Sequence, residues 1–291
     1  MQVVYHLGAH STDEERLIRT LAENRATLAQ ARVAVPGANQ YRPVLRETLM
    51  KLKGGPADAE TQARILQACG ADDLPRRLVF SHEFFLCVPG RVVTDAGFYT
   101  MVPAKLGPLV NLFPDAQSEF HMALINPATL LPALKARLPK MSYDEMMSGR
   151  DPRDLRWAPV VRAMVEAAGG SRVVLWCNED LPMLWPEILR SLAGLPASAQ
   201  LVGDDALLAT IMSEEGLARL RSYLRSHPPQ SATQRRKIVS AFLDKFVLPD
   251  AVEVEIPLPG WTDDLVAEIT AAYDADVAEI AAMPGVEFLA P

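Results

Sequence analysis

The chain has 291 residues, 49% of them hydrophobic and 22% charged, with a mean hydropathy of +0.06. This suits a globular protein long enough for one large domain or two small ones, and it excludes disordered and collagen-like chains. Thirty-six acidic against 29 basic residues give a formal net charge of −7, opposite in sign to what a phosphate backbone selects, so nucleic acid is not an expected partner. No window approaches the ~18 uninterrupted apolar residues of a membrane span, and the opening MQVVYHLGAH has no basic region followed by an apolar one. Cys69, Cys87 and Cys177 are odd in number and lack zinc-type spacing. A cytoplasmic, reducing location with no membrane partner is the expectation.

In chain order, residues 2–7 form a β-branched and aromatic run ending at Gly8, and residues 13–32 follow with Leu17, Leu21, Leu28 and Ala31 at helical spacing. Short apolar runs recur at residues 77–81, 119–125 and 173–177, continuous rather than alternating, as buried parallel strands are. Between them, residues 41–52, 57–68, 127–138, 157–168 and 182–195 are amphipathic and long enough to be crossover helices. The expectation is an α/β fold, a mainly parallel sheet flanked by helices, over residues 1–203. Past Gly203 the strand signals stop, and residues 214–225, 232–246 and 262–283 read as helices, giving a helical C-terminal subdomain over residues 204–291 packed on the core. Residues 226–233 and 249–260 read as irregular connections.

Ligands of such sheets bind at the carboxyl ends of strands, and a first strand passing through a glycine-containing loop into a helix is a common anion cradle. The loop HLGAHSTDEER is not a GxxxxGK[ST] motif. Taken together, however, His6-x-Gly8-x-His10-x-Thr12, Asn24-Arg25, Val33-x-Val35-Pro36 and Tyr41-Arg42 with Leu45-Arg46-Glu47 resemble the bacterial sulfotransferase-like P-loop family, whose opening is typically HxGxHKTGTT. Phe80-Ser81-His82-Glu83 is similar to the family's Ser-Ser-Glu strand end, residues 176–180 to its late strand end, and Tyr273-x-x-Asp276 before Pro284-Gly285 to its closing helix. The resemblance covers most of the chain. It implies a P-loop-type core and transfer of a sulfuryl group from 3′-phosphoadenosine 5′-phosphosulfate to a hydroxyl or amine of a small-molecule or saccharide acceptor, without a metal. It also implies Gly8, Ser11, Thr12, Ser81 and Asn126 as cofactor-binding positions, and Glu83 and His10 as catalytic ones, with Glu83 as general base.

The departures from the family pattern are concentrated on the donor. Ser11-Thr12-Asp13-Glu14-Glu15 stands where the family has Lys-Thr-Gly-Thr-Thr, Asn126 where it has an arginine, and Ala133-Leu134 near its serine. Thr12-x-x-Glu15 reads as a capping box, with the first helix starting at Thr12 or Asp13, so helix N-terminal donors are engaged internally. Two functions therefore stand side by side: a sulfotransferase with a modified donor site, and a catalytically inactive protein of that fold binding another ligand or a protein partner. His82 and Glu83 also read as a strand-end cap. His6, His10, Asp13 and Glu83 lack helical metal-ligand spacing, and His121 and His227 have no visible partner. Arg150, Arg153 and Arg156 lie where the family places an acceptor lid, balanced by Asp151 and Asp154, while Trp157, Trp176 and Trp185 read as packing residues. Arg219, Arg221, Arg225 and residues 235–237 make a locally basic face interleaved with acids.

Overall fold

Successive residues of the first strand point to opposite sides of a sheet that is covered on both, so Val3, Val4 and Tyr5 are all apolar or aromatic and buried, with no alternation. The computed structural model describes residues 1–71, 74–252 and 258–291. β1 (Gln2–His6) leads into α1 (Arg16–Glu23), α2 (Arg25–Gln30), β2 (Val33–Ala34), α3 (Ala38–Leu52), α4 (Ala59–Ala68) and β3 (Arg77–Ser81). A short antiparallel hairpin, β4 (Val93–Thr94) with β5 (Gly97–Phe98), precedes α5 (Val102–Val110). Then come β6 (Gln117–Leu124), α6 (Pro127–Arg137), α7 (Tyr143–Met147), α8 (Trp157–Ala167), β7 (Arg172–Cys177) and α9 (Leu181–Ala193). The tail holds α10 (Leu208–Ile211), α11 (Glu214–Ser226), α12 (Ala232–Phe246), α13 (Pro249–Val252), α14 (Asp263–Ala281) and β8 (Val286–Leu289).

The six-stranded sheet runs β2-β3-β1-β6-β7-β8, every pairing parallel. From β1 the connections leave one way to β2 and β3 and the other way to β6, β7 and β8, so the carboxyl end of β1 is the switch point where α/β sheets hold ligands. On one face Val3, Tyr5, Phe80 and Phe120 pack with Tyr41, Leu106 and Trp157; on the other Val4, Val79 and Trp176 pack with Leu17, Leu21 and Trp185. The three tryptophans are buried, as expected of packing residues, and the three cysteines are free and buried.

Three local expectations are corrected. The run over residues 13–32 is two helices that meet at Asn24, whose side-chain amide donates to Thr20 O at 2.8 Å within α1 and also ties to Val202, accepting its N–H at 2.7 Å and donating to its carbonyl at 2.9 Å. The tail is not wholly helical: β8 joins β7 at the sheet edge, and α14 packs against α6 and α8. The first helix starts at Arg16, not at Thr12 or Asp13. The irregular stretch over residues 249–260 opens with α13, and residues 253–257 of it lie outside the described residues, as do 72 and 73.

The amino edge of the sheet holds a buried ion cluster. Glu119 accepts from both Arg77 terminal nitrogens (2.8 and 2.7 Å), from Arg172 at 2.9 Å and from His121 Nε2 at 3.2 Å. Burial works to raise the Glu119 carboxyl, but the hydrogen bonds of His121 and Arg77 outweigh it and hold it well below the usual range. His121 is thereby a core residue, its ring held by Glu119 while its backbone pairs with His6 at the end of β1.

Candidate functional site

After β1 the chain does not arch away from the sheet. It continues along β6: Leu7 N–H donates to His121 O at 2.8 Å, Gly8 O accepts from Ala123 N–H at 2.8 Å, and Ala9 N–H donates to Ala123 O at 3.2 Å. Gly8 permits this, since it sits at φ +93° and a Cβ there would stand 3.2 Å from Glu83 Cα and Cβ. Gly8→Ala is expected to cost about 1–3 kcal/mol through backbone strain and displacement of Glu83; urea unfolding at wild-type stability would count against this close approach. Ser11, Glu14 and Glu15 also have positive φ, a concentration of strained residues that persists only where the surroundings fix it.

Glu83, just past the carboxyl end of β3, reaches over this loop. Its carboxylate takes a two-pronged hydrogen bond from Arg137 at the end of α6 (2.7 and 2.5 Å) and lies 3.4 Å from Ser11 N–H. Arg137 also lies 3.4 Å from Ser11 Oγ and over the Phe84 ring. Desolvation works to raise the Glu83 carboxyl, but the hydrogen bond and charge of Arg137 outweigh it and keep it below the ordinary carboxylate range. A carboxylate so held is a weak general base at neutral pH.

His10, expected to be catalytic, is buried and has both ring nitrogens engaged. Tyr99 Oη donates to Nδ1 at 2.8 Å while accepting the His10 backbone N–H at 3.1 Å, which leaves Nε2–H to donate to Cys87 O at 3.1 Å. Burial, aided by Arg137 and opposed by Glu83 and the Cys87 carbonyl, lowers its pKa to about 4, so the ring is neutral. It positions the loop and has no free nitrogen with which to move a proton. His6 Nδ1 meets Ser81 Oγ at 2.9 Å, and burial lowers its pKa too.

Thr12 and Glu15 do not form a capping box. Thr12 Oγ–H donates to Ala9 O at 2.9 Å, and Glu15, at the N-cap position, pairs with Arg42 at 2.5 Å; Asp13, two residues earlier, accepts Leu17 N–H at 3.0 Å. Arg42 and Tyr41 also close on Ser81, whose carbonyl accepts from Arg42 Nη2 at 2.8 Å and Tyr41 Oη at 2.6 Å. Asn126 lies elsewhere on the edge: it caps α6 through Ala128 N–H (2.9 Å), donates its backbone N–H to Glu179 and ties to Thr270. The structure thus brings Gly8, His10, Ser11, Thr12, Ser81 and Glu83 together, while the hydrogen bonds of Asn126 go to Ala128, Glu179 and Thr270 rather than to any of them.

Arg150, Arg153 and Arg156 are paired within the chain, Arg156 with Asp276 (3.0 and 2.6 Å), Arg153 with Asp151 and Glu268, and Arg150 with the Asp95 carbonyl. Among the described residues no group of three or more His, Cys, Asp or Glu side chains is arranged to hold a metal, and no helix is long and apolar enough to cross a membrane. Arg137, Tyr99 and Phe84 were not singled out in the sequence; Arg137 is 54 residues from Glu83, and no spacing joins them. Comparison with protein-family models, curated proteins and solved structures found no match.

Proposed function

We propose that this protein is a sulfotransferase-like P-loop chain that has given up its sulfuryl donor and acts as a binding protein through the carboxyl edge of its sheet. One observation carries the reading: the Ser11 N–H, in the loop where the family grips the donor, faces the Glu83 carboxylate, itself locked to Arg137. 3′-Phosphoadenosine 5′-phosphosulfate needs free N–H groups and a cation at that place. The residues present do not fit it. The N–H groups of Ala9, His10, Ser11 and Leu17 already have acceptors within the protein, two of them carboxylates, and Glu14 and Glu15 add further negative charge. Asn126, at the position of the family's arginine, is spent on a helix cap.

Kinship with the family is supported by the parallel sheet with β1 at the switch point and by the strand–loop–helix opening; fold alone says nothing of activity. Isothermal titration with adenosine 3′,5′-bisphosphate is expected to give no heat of binding up to millimolar concentration, and micromolar binding would overturn the reading in favour of a transferase.

A further inference from the structure

Two histidines stand side by side inside the sheet. His6 on β1 and His121 on β6 are register partners on neighbouring strands, 2% and 0% exposed, so their side chains leave the sheet on the same face. Trp176 of β7 lies on that face too, and the His6 ring stacks against it with centroids 5.9 Å apart and planes at 17°. Since β6 runs between β1 and β7, the two stacked rings meet above β6, where Ala123, two residues after His121, presents only a methyl group.

Each ring has one nitrogen engaged and one free. His121 donates Nε2–H to Glu119 at 3.2 Å, so its Nδ1 carries a lone pair. His6 Nδ1 meets Ser81 Oγ at 2.9 Å; among the described residues that hydroxyl has no other partner, so its proton goes to Nδ1 and the ring proton of His6 stands on Nε2. Burial lowers the pKa of both rings, which keeps each neutral with one donor and one acceptor nitrogen. Among the described residues His6 Nε2 and His121 Nδ1 are buried without a hydrogen-bond partner, and so is the Nε1–H of Trp176, on the ring stacked against His6. Buried polar groups in folded proteins are paired almost throughout, with protein or with internal water.

We propose that one internal water molecule is bound between these histidines, accepting His6 Nε2–H and donating to His121 Nδ1. The donor set selects the ligand: an N–H and a neutral lone pair side by side call for a molecule that accepts and donates at once, which neither a bare cation nor a simple anion does. Within a closely packed core, water is the smallest molecule that meets this need. The bridge makes one directed chain of hydrogen bonds, Ser81 to His6 to water to His121 to Glu119. The chain runs along one face of the sheet, from the strand ends beside the Gly8 loop to the Arg77–Glu119–Arg172 cluster at the amino edge. It fixes the tautomers of both rings and ties the candidate site to that cluster, since losing any link leaves its neighbour without a partner.

The test is NMR of the full chain labelled with ¹⁵N-histidine, read at the ring nitrogens and at contacts with water. Expected are a proton on Nε2 of both His6 and His121, a His121 Nδ1 in the hydrogen-bonded acceptor state, and cross-relaxation from a slowly exchanging water to the ring protons of both residues. His6→Gln, whose amide carries an N–H to the place of Nε2, is expected to keep the water signal at His121, and His6→Leu is expected to lose it. A wild-type protein with no water contact at His121, a proton on Nδ1 of either ring, or a water signal unchanged in His6→Leu would overturn the proposal. Should His6→Leu not fold, the wild-type spectrum and His6→Gln still decide the matter.

Discussion

Glu119→Leu is expected to destabilise the protein by about 3–5 kcal/mol, because it leaves the Arg77 guanidinium buried with no anion. Arg77 is 2% exposed, and although it also donates to the carbonyls of Leu192 and Ser191 and to the Gln2 amide, Glu119 is the carboxylate that neutralises it. Arg172 would keep Glu287, and His121 would lose the acceptor of its Nε2–H. The second arm is the double variant Glu119→Leu with Arg77→Met, in which both charges leave together. It is expected to be more stable than Glu119→Leu alone, since an apolar pair of similar size avoids the desolvation that the ion pair must offset. Urea unfolding of the two variants decides the matter. Additive losses would mean that the pair is not energetically coupled. The carboxyl held far below its unfolded value also contributes stability that is present above about pH 4.5 and is lost as pH falls further.

How far the sequence reached is plain from particular residues. β1, β3, β6 and β7 were legible because strands buried on both faces are continuous apolar runs, and the loop at Gly8 was legible because only glycine tolerates its φ beside Glu83. β8 was not, since VEFL is four residues long and is fixed as a strand by pairing with β7. Thr12-x-x-Glu15 carried a capping-box pattern, yet Arg42, 27 residues further on, outcompetes the local bond for Glu15, and the Leu17 N–H is taken by Asp13, two residues before the N-cap position. The site was half legible for the same reason. Glu83, Ser11 and His10 belong to short motifs, whereas Arg137 and Tyr99 arrive from 54 and 89 residues away and can be placed only by the tertiary fold. It is Arg137 that turns Glu83 from a candidate base into half of a locked pair.

The buried histidines give the protein an acid limit well above the range where its carboxylates protonate. His10, His82 and His121 each have a pKa lowered to about 4, chiefly by burial and helped by Arg137 at His10, Arg42 at His82 and Arg77 at His121; burial also lowers His6. In the unfolded chain each titrates near 6.5. Between pH 6.5 and about 4 the unfolded state therefore binds more protons than the native state, so stability is fully present above pH 6.5 and falls as pH drops through this window. Each histidine contributes at most one proton, about 1.36 kcal/mol per pH unit, and the partly exposed His82 contributes less than the buried His10 and His121. Glu15, Glu83 and Glu119, all held low, add their own loss only below about 4.5, which leaves the upper part of the window to the histidines. Urea unfolding at pH 7.5, 6 and 5 should show this steep loss. His82→Gln removes a ring for which the structure records no hydrogen bond, and it should reduce the slope, by at most one proton, while leaving the stability at pH 7.5 little changed. A stability that stays level from pH 7.5 to 5 would mean that these rings are hydrated in the folded protein.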